Sequence, residues 1–374
     1  MKILFIIDQV YMHGGIERVL SIKANFFAEN PTNKIFIITT EQKDKSPCYE
    51  FSNNITFKDL KINYNRTKSY FHPINFIKIP KHISKLSTFI KKTSPDVIIV
   101  CSHSTDTYFI PFINKSIPKI KEFHYSKFIE KNKRENPGNL LKKWFLSFAD
   151  YVESKYDKLI VLNKDEASYY KTNNIEIIPN PLTFSTSKPS KKETKIAITA
   201  GRIAPVKGYD LLIDIWELVA KKNTEWQLHI YGEGEKKYVE ELQQKIISKK
   251  LESLVFLKGK TNNVQQKMLD SSFFVMTSHN ECFPLVLLEA QACGLPIIAY
   301  NCPHGPRNII TKDTGYLIDL YDKNQYSKVL IQLMGDSEKR KKMGLNALKN
   351  VEKYNTELIM TLWLKMLESL IKMK

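Results

Sequence analysis

Short apolar runs recur along the whole chain, and helix-like segments separate them. The runs occupy residues 2–7, 34–40, 96–102, 119–124 and 158–163, and then 195–202, 226–232, 254–260, 272–278 and 296–301. Continuous apolar strands that alternate with helices indicate parallel sheets covered by helices on both faces. The pattern therefore predicts an α/β fold with two doubly wound, Rossmann-like domains.

The strand pattern stops and restarts around a segment rich in proline, serine and threonine. We predict an N-terminal domain over 1–180, a linker over 181–194 and a C-terminal domain over 195–355. Residues 356–374 read as an amphipathic helix that can pack back on either domain, including the first. With 374 residues, 43% of them hydrophobic, the chain is long enough for two buried cores.

The composition favours the cytoplasm. No apolar stretch approaches the length that spans a bilayer, and the run over 3–7 is too short for a signal peptide. The five cysteines are scattered and show no C-x-x-C spacing, which argues against a disulfide framework or a zinc site.

Positive charge is concentrated in the first half. The formal net charge is +18, and residues 51–150 hold 18 basic and 7 acidic side chains. Such basicity favours an anionic partner, although a solvated lysine-rich surface would also explain it. The segments 81–92 and 127–148 mix lysine with apolar residues, which is typical of a face that lies on an anionic membrane. A nucleic-acid partner is not expected, because the charge is not focused on a recognisable reader motif.

Ligands of open parallel sheets bind at the carboxyl ends of the strands, so the residues after each strand are the candidates. Gly14 and Gly15 follow the first strand, where they would let a phosphate approach the next helix, or simply form a tight turn. No G-x-G-x-x-G is present, which disfavours a nicotinamide dehydrogenase. Arg202 and Lys207 flank the first strand–helix turn of the second half, and such a pair of cations suits a diphosphate.

Further candidates follow later strands. The turns with Gly232 and Lys260 suit a base and its ribose, although each alone reads as an ordinary turn. Glu281 and Glu289 flank an apolar run in which Pro284 is predicted to be the first helical residue, so that Glu281 lies in a loop and Glu289 in the second turn.

A carboxylate can accept both hydrogen bonds of a cis-diol. Complementing the helix dipole is the simpler role, and it suits Glu281 better than Glu289. His103 and His124 also follow strands, where a histidine could bond a sugar hydroxyl.

In order, the motifs are G-G-I-E-R, a strand-end histidine, G-R-x4-K-G, Y-G-x-G, and E-x7-E with F-P and A-x-G-L-P. Together they resemble the retaining GT-B glycosyltransferases of family 4, most specifically over 195–310. The resemblance implies two Rossmann-like domains that face each other across a cleft, and a bacterial polysaccharide or glycolipid enzyme.

The resemblance also implies roles. Arg202 and Lys207 would bind the donor diphosphate and stabilise the leaving group, Glu289 would hold the ribose, and Glu281 would contact the donor sugar. The remaining implied donor contacts are the backbone of Cys282, Phe283, Pro284 and Leu285, the glycines Gly14 and Gly15, and His124 near the reacting carbon. The candidate catalytic residues are His124, Arg202, Lys207 and Glu281.

The expected activity is transfer of a hexose or N-acetylhexosamine from a nucleotide-diphosphate sugar, with UDP the best match, to a hydroxyl of a glycan or a polyprenyl- or lipid-linked acceptor. Retention, synthesis of a surface polysaccharide such as capsule or lipopolysaccharide, and a peripheral position on the inner face of the plasma membrane belong to this expectation. No D-x-D triplet occurs, so neither a metal nor another cofactor is expected.

Three departures from the family pattern leave the sugar open: Pro284 where glycine is commoner, Asn301 for an aspartate, and Asn308 for a glutamate. Two alternatives remain for the function. One is a GT-B epimerase that acts on UDP-N-acetylglucosamine, and the other is a non-catalytic subunit that binds a sugar nucleotide.

Overall fold

The chain divides into two units, each built around one parallel sheet. The computed structural model describes residues 1–69, 72–136, 138–186, 189–191 and 193–372. The first unit comprises Met1–Pro181 and Thr356–Lys374, and the second comprises Leu182–Asn355. Of the predicted linker, Pro181 therefore belongs to the first unit and the rest to the second. Its residues 187, 188 and 192, and the last two of the chain, lie outside the described residues.

The first unit carries a seven-stranded sheet in the order β3-β2-β1-β4-β5-β6-β7, with all neighbours parallel. Its strands are β1 (Lys2–Ile7), β2 (Lys34–Thr39), β3 (Ile55–Asp59), β4 (Val97–Val100), β5 (Lys119–Glu122), β6 (Lys158–Val161) and β7 (Ile175–Ile177). Its helices before the crossing into the second unit are α1 (Gly15–Glu29), α2 (Pro73–Phe76), α3 (Ile79–Thr93), α4 (Lys131–Glu135), α5 (Leu140–Glu153) and α6 (Lys164–Ala167).

Successive residues of β1 point to opposite faces of this sheet, and both faces are buried. Phe5 packs into a core that includes Phe27 of α1, whereas Leu4 packs into a second core with Leu86 of α3 and Val152 of α5. Each fully buried side chain of this size contributes about 1.5–3 kcal/mol. Burial on both faces explains why the strand reads as a continuous apolar run instead of an alternating one.

The second unit carries a six-stranded parallel sheet in the order β10-β9-β8-β11-β12-β13. Its strands are β8 (Ile196–Ala200), β9 (Gln227–Tyr231), β10 (Val255–Gly259), β11 (Phe273–Met276), β12 (Ile297–Tyr300) and β13 (Gly315–Ile318). Its helices are α7 (Tyr209–Ala220), α8 (Lys236–Ser248), α9 (Val264–Leu269), α10 (Leu285–Ala292), α11 (Gly305–Ile309), α12 (Lys323–Gly335) and α13 (Ser337–Val351). The predicted α/β class with two parallel-sheet domains is confirmed.

Three strands escaped the sequence pattern, and each lies at an edge of its sheet. β3 exposes three of its five residues, β7 has only three residues, and β13 begins with a glycine. An edge strand has a neighbour on one side only and need not be continuously apolar. The apolar run that marks a central strand is therefore missing.

The last helix, α14 (Thr356–Lys372), packs into the core of the first unit. Trp363 is buried there, and its ring lies 4.3 Å from Nζ of Lys23 on α1. The Lys23 ammonium in turn forms an ion pair with Glu122 at the end of β5. The two charges are almost fully buried, so each depends on the other. None of the described helices is long and apolar enough to cross a membrane.

We expect Trp363→Ala to lower the free energy of unfolding by about 3–5 kcal/mol, because it leaves a cavity and removes the ring over Lys23. Denaturant unfolding followed by circular dichroism measures the loss. The neighbouring Leu362 is 43% exposed, and Leu362→Ala should cost less than about 1 kcal/mol. Equal losses in the two variants would show that α14 does not bury Trp363 in this core.

Candidate functional site

The loops that follow β8, β9 and β10 are joined by backbone hydrogen bonds at the carboxyl edge of the second sheet. The amide of Ile203 donates to the carbonyl of Glu233 at 2.7 Å, and that of Gly232 donates to the carbonyl of Gly259 at 2.9 Å. A Cβ on Gly232 would lie 1.9 Å from the carbonyl oxygen of Gly201, so only glycine fits there. The turns that carry Arg202, Gly232 and Lys260 are thus brought together.

Two of the predicted site residues touch each other. Lys207 lies in the short turn Pro205–Lys207, and its Nζ is 2.6 Å from Oε1 of Glu281, which follows β11. The hydroxyl of Ser278 donates to the same oxygen at 2.7 Å. Both charged side chains are partly buried, which strengthens their attraction relative to a surface pair.

Gly208 makes this contact possible. Its φ of 64° lies in the left-handed region, and an added Cβ would sit 2.2 Å from the carbonyl oxygen of Thr277. The Thr277 hydroxyl donates to the carbonyl of Gly208 at 2.8 Å. The amide of His279 donates to the carbonyl of Val206 at 2.9 Å. The turn after β8 is therefore pressed against the chain that leaves β11.

The other two cations of the predicted site are more exposed. Arg202 is exposed at the end of β8, and within the described part of the chain it forms no ion pair with Glu281 or any other carboxylate. Lys260 lies 3.9 Å from Glu233, also near the surface. Arg202 and Lys260 therefore keep most of their donor groups available to a ligand.

The segment that leads from Glu281 into α10 is largely buried. Cys282 and Phe283 are buried, and Leu285 is the first residue of α10. Pro284 caps the helix in an extended conformation, with ψ at 104°, so the prediction that it is the first helical residue was wrong by one position. Its missing N–H costs nothing there either. As expected, Glu281 lies in the loop, and Glu289 lies in the second turn.

Glu289 is held by a residue that the sequence did not single out. The hydroxyl of Thr183 donates to Oε1 of Glu289 at 2.7 Å, across 106 residues of sequence. Thr183 is fixed by its neighbour, since the amide of Leu182 donates to the carbonyl of Tyr354 at 2.8 Å. This contact orients the Glu289 carboxylate.

Residues 301–308 pack against the Glu281 loop. The amide of Glu281 donates to Pro303, and the amide of Gly305 donates back to the carbonyl of Glu281 at 2.7 Å. The Asn308 side chain donates to the carbonyl of His304 at 2.8 Å. At this departure from the family pattern, the asparagine side chain therefore bonds the backbone at the start of its own helix, α11.

In the first unit, Gly14 and Gly15 form the start of α1 as predicted from the turn. The Glu17 carboxylate folds over this helix end, where it would lie 2.2 Å from a Cβ on Gly14. Gln9 donates to Glu17 at 2.5 Å, and burial raises the pKa of Glu17. The carboxylate occupies the position in which a phosphate was expected, so a phosphate there requires Glu17 to move.

His124 follows β5, and its side chain is buried. Its Nε2 lies 2.9 Å from Oε2 of Glu122. Burial would raise the pKa of Glu122, but Lys23 and His124 outweigh it and lower the pKa to about 2. Burial lowers the pKa of His124, against the opposing effect of Glu122. Since an ionised carboxylate only accepts, Nε2 carries the hydrogen and Nδ1 is left as an acceptor.

His103 lies beside it, with ring centroids 6.4 Å apart, and burial moves the pKa of His103 well below its usual value. Its Nε2 has no hydrogen-bond partner among the described residues. Two neutral imidazoles thus lie at the ends of β4 and β5.

Sequence reasoning missed Thr183, Ser278 and Glu122, each of which bonds a predicted site residue. Ser278 and Glu122 stand within three positions of their partners, so proximity could have indicated them. Nothing in the sequence connects Thr183 to Glu289. No group of three or more His, Cys, Asp or Glu side chains in the described ranges is arranged to hold a metal ion.

Comparison with known proteins gives the family. The model described as "Glycosyl transferases group 1" matches residues 183–350. An uncharacterized glycosyltransferase of Haemophilus influenzae is 30% identical over 97% of this chain and 98% of its own length. The poly(ribitol-phosphate) alpha-N-acetylglucosaminyltransferase of Staphylococcus aureus is 33% identical over 58% of this chain and 45% of its own. The lipopolysaccharide 1,6-galactosyltransferase of Salmonella typhimurium is 27% identical over 83% of both.

Solved structures share the fold. TarM of S. aureus, determined as a mutant with fondaparinux, alpha-GlcNAc-glycerol and UDP, superposes with a TM-score of 0.75 at 19% identity, over 98% of this chain and 99% of that one. Sucrose-phosphate synthase of Thermosynechococcus elongatus gives 0.80 at 17% identity over the whole of both chains. The fold is therefore GT-B. With the near full-length match to the H. influenzae protein, it follows that this chain belongs to the group 1 family of glycosyl transferases.

Proposed function

We propose that this glycosyltransferase moves a hexose or an N-acetylhexosamine from a UDP-sugar to a hydroxyl of a glycan or lipid-linked acceptor, with retention at the anomeric carbon. The observation that carries the proposal is the contact between Lys207 and Glu281, beside the turn of Arg202. The contact joins an ammonium, which suits a diphosphate, to a carboxylate, which suits sugar hydroxyls, and in this way it supports the proposal. The glycosyltransferases among the relatives support the same reaction class.

Lys207 can serve the diphosphate without leaving Glu281. An ammonium has three N–H donors, and the ion pair uses one of them. Negative charge grows on the diphosphate oxygen as the bond to the anomeric carbon breaks, and Lys207 and Arg202 stabilise it. A donor that is fixed in position, as Lys207 is by Glu281, contributes on the order of 3 kcal/mol to a transition state. We propose that they replace a divalent metal.

The two carboxylates bind the two sugars of the donor. Oε1 of Glu281 already accepts from Lys207 and Ser278, whereas no described residue donates to Oε2. Oε2 therefore accepts from the transferred sugar, and Glu289 binds the ribose. For the first unit, taken by itself, we propose that Nδ1 of His124 accepts from a sugar hydroxyl and that the amides at Gly14 and Gly15 approach a phosphate once Glu17 has moved.

We propose retention by attack on the face from which the phosphate leaves. The acceptor oxygen bonds to the anomeric carbon, the bond to the diphosphate breaks, and the departing phosphate oxygen takes the acceptor proton. The name of the S. aureus relative specifies an alpha-linked product, which agrees with retention because nucleotide hexoses commonly carry an alpha linkage.

The acceptor is proposed to belong to a surface polysaccharide or glycolipid. Two relatives are named for poly(ribitol-phosphate) and for lipopolysaccharide. We further propose that the protein works in the cytoplasm at the inner face of the plasma membrane, where a lipid-linked acceptor is presented. The excess of basic residues between positions 51 and 150 supports this location.

A panel of UDP-, GDP- and ADP-sugars tests the donor. A UDP-sugar at a hundredfold excess over its Kd should stabilise the protein by about 2.7 kcal/mol, as measured by chemical denaturation. With an acceptor present, transfer should be unchanged by EDTA. If the donor alone yields an epimerised UDP-sugar, the protein is an epimerase; if the donor binds but is neither transferred nor hydrolysed, the protein is a binding subunit.

Lys207→Ala should lower kcat by about 10²–10³, since it removes a charge that stabilises the leaving group. Steady-state release of UDP measures the loss. Lys236 of α8 has 91% of its side chain exposed, and Lys236→Ala should leave kcat unchanged. A Lys207→Ala enzyme with the kcat of the wild type would remove Lys207 from the leaving-group site.

Glu289→Gln should raise the KM for the donor by about tenfold, because an amide offers the ribose one acceptor oxygen instead of two. Thr183→Val should shift KM in the same direction by a smaller factor, and Thr183→Ser, which keeps the hydroxyl, should restore it. A Thr183→Val enzyme with an unchanged KM would show that the hydrogen bond does not orient Glu289 for binding.

A further inference from the structure

Helix α5 exposes most of its large apolar side chains. Leu140, Trp144, Phe148 and Tyr151 follow one another along one line of the helix, and Leu141 lies beside them. Leu141 is 82% exposed and Trp144 is 71% exposed. The side of α5 that carries Ala149, Val152 and Glu153 is buried in the first unit. The exposed stripe, which we call the α5 face, is therefore an apolar surface that the first unit leaves largely uncovered.

Aromatic residues of the first unit pack against part of the α5 face. The ring of Phe148 stacks on Tyr108 with centroids 6.1 Å apart, and the ring of Tyr151 stacks on Phe112 at 6.2 Å. Asn139 caps the helix by accepting from the amide of Lys142. These contacts fix Phe148, Tyr151 and the start of the helix that carries the other apolar side chains.

The charge around the α5 face is positive. Lys142 and Lys143 are exposed in its first turn. The nearby carboxylates are satisfied inside the unit: Asp150 pairs with Arg134 at 2.7 Å, and Glu153 pairs with the buried Lys127 at 2.6 Å. The exposed charges beside the α5 face are therefore those of Lys142 and Lys143.

The structure separates the two basic segments that the sequence had grouped together. Helix α3 buries its apolar residues, among them Leu86 and Ile90, and exposes Lys81, Lys91 and Lys92. It offers charge but no apolar anchor. Of these two segments, only the one with α5 combines lysines with exposed apolar side chains over an ordered helix.

We propose that the α5 face inserts into the headgroup boundary of a bilayer that contains anionic lipid. The leucines and Trp144 enter the acyl boundary, Tyr151 stays at the headgroup level, and Lys142 and Lys143 contact the phosphates. Tryptophan and tyrosine favour this interface because one end of each ring system is apolar and the other is polar. The inference specifies the membrane contact within the proposed function and does not depend on which sugar is transferred.

Tryptophan fluorescence isolates this surface. The chain has four tryptophans, and Trp216, Trp226 and Trp363 are buried in the two cores. Trp144 is therefore the one that vesicles can reach. Vesicles of phosphatidylcholine with about one-third phosphatidylglycerol should shift its emission to shorter wavelength, and lipids brominated near the headgroup should quench it. Vesicles of phosphatidylcholine alone should bind far more weakly.

Substitutions assign the binding to the α5 face. The double variant Leu140→Ser and Leu141→Ser should partition about a hundredfold more weakly, at roughly tenfold for each leucine. Lys142→Ala with Lys143→Ala should lose about fivefold per lysine, on anionic vesicles only. Leu358 of α14 is 56% exposed, and Leu358→Ser is the matched control, expected to bind like the wild type. Circular dichroism checks that each variant is folded.

Three results would overturn the proposal. They are an emission spectrum that anionic vesicles leave unchanged, an equal loss of binding in Leu358→Ser, and a concentration-dependent dimer that the double leucine variant abolishes. The last result would assign the α5 face to a second copy of the chain. Donor turnover without vesicles is measured in parallel. Turnover without vesicle binding removes only the docking proposal, and vesicle binding without turnover removes only the transfer proposal.

Discussion

Parallel pairing, with both faces of each sheet buried, is the constraint on which the rest of the structure depends. A central strand such as β1 presents apolar side chains to two helical layers at once, as Leu4 and Phe5 do. Polar residues then collect mostly at the strand ends, with β5, which buries Lys121 inside the strand, as an exception. This is why His124, Arg202 and Glu281 stand after strands, and why the candidate site residues collect at one edge of each sheet.

Within the second unit, that edge is assembled from long-range contacts between loops. Gly208 lets the turn of Lys207 press against the chain after β11, and Gly232 lets two neighbouring turns share backbone hydrogen bonds. The glycines matter because a methyl group in either place would collide with a carbonyl oxygen. The ion pair of Lys207 and Glu281 is a consequence of this close backbone packing.

The sequence was sufficient for the central strands, the α/β class and the strand-end candidates, because burial and turn chemistry are local signals. It was insufficient where a residue acts through a distant partner. Thr183 meets Glu289 across 106 positions, and no periodicity encodes that contact. The edge strands β3, β7 and β13 were missed because partial exposure removes the apolar run. The sequence could not tell which of α3 and α5 exposes its apolar side chains either, since both mix lysine with apolar residues and only tertiary packing decides which apolar residues are covered.

The hydrogen bond from the amide of Leu182 to the carbonyl of Tyr354 has a topological consequence. It joins the first and nearly the last residue of the second unit, while α14 returns to complete the first. The second unit is therefore an insertion whose two ends lie side by side. Because its two junctions are adjacent, the whole second unit can be removed or replaced at one place in the chain without opening either core.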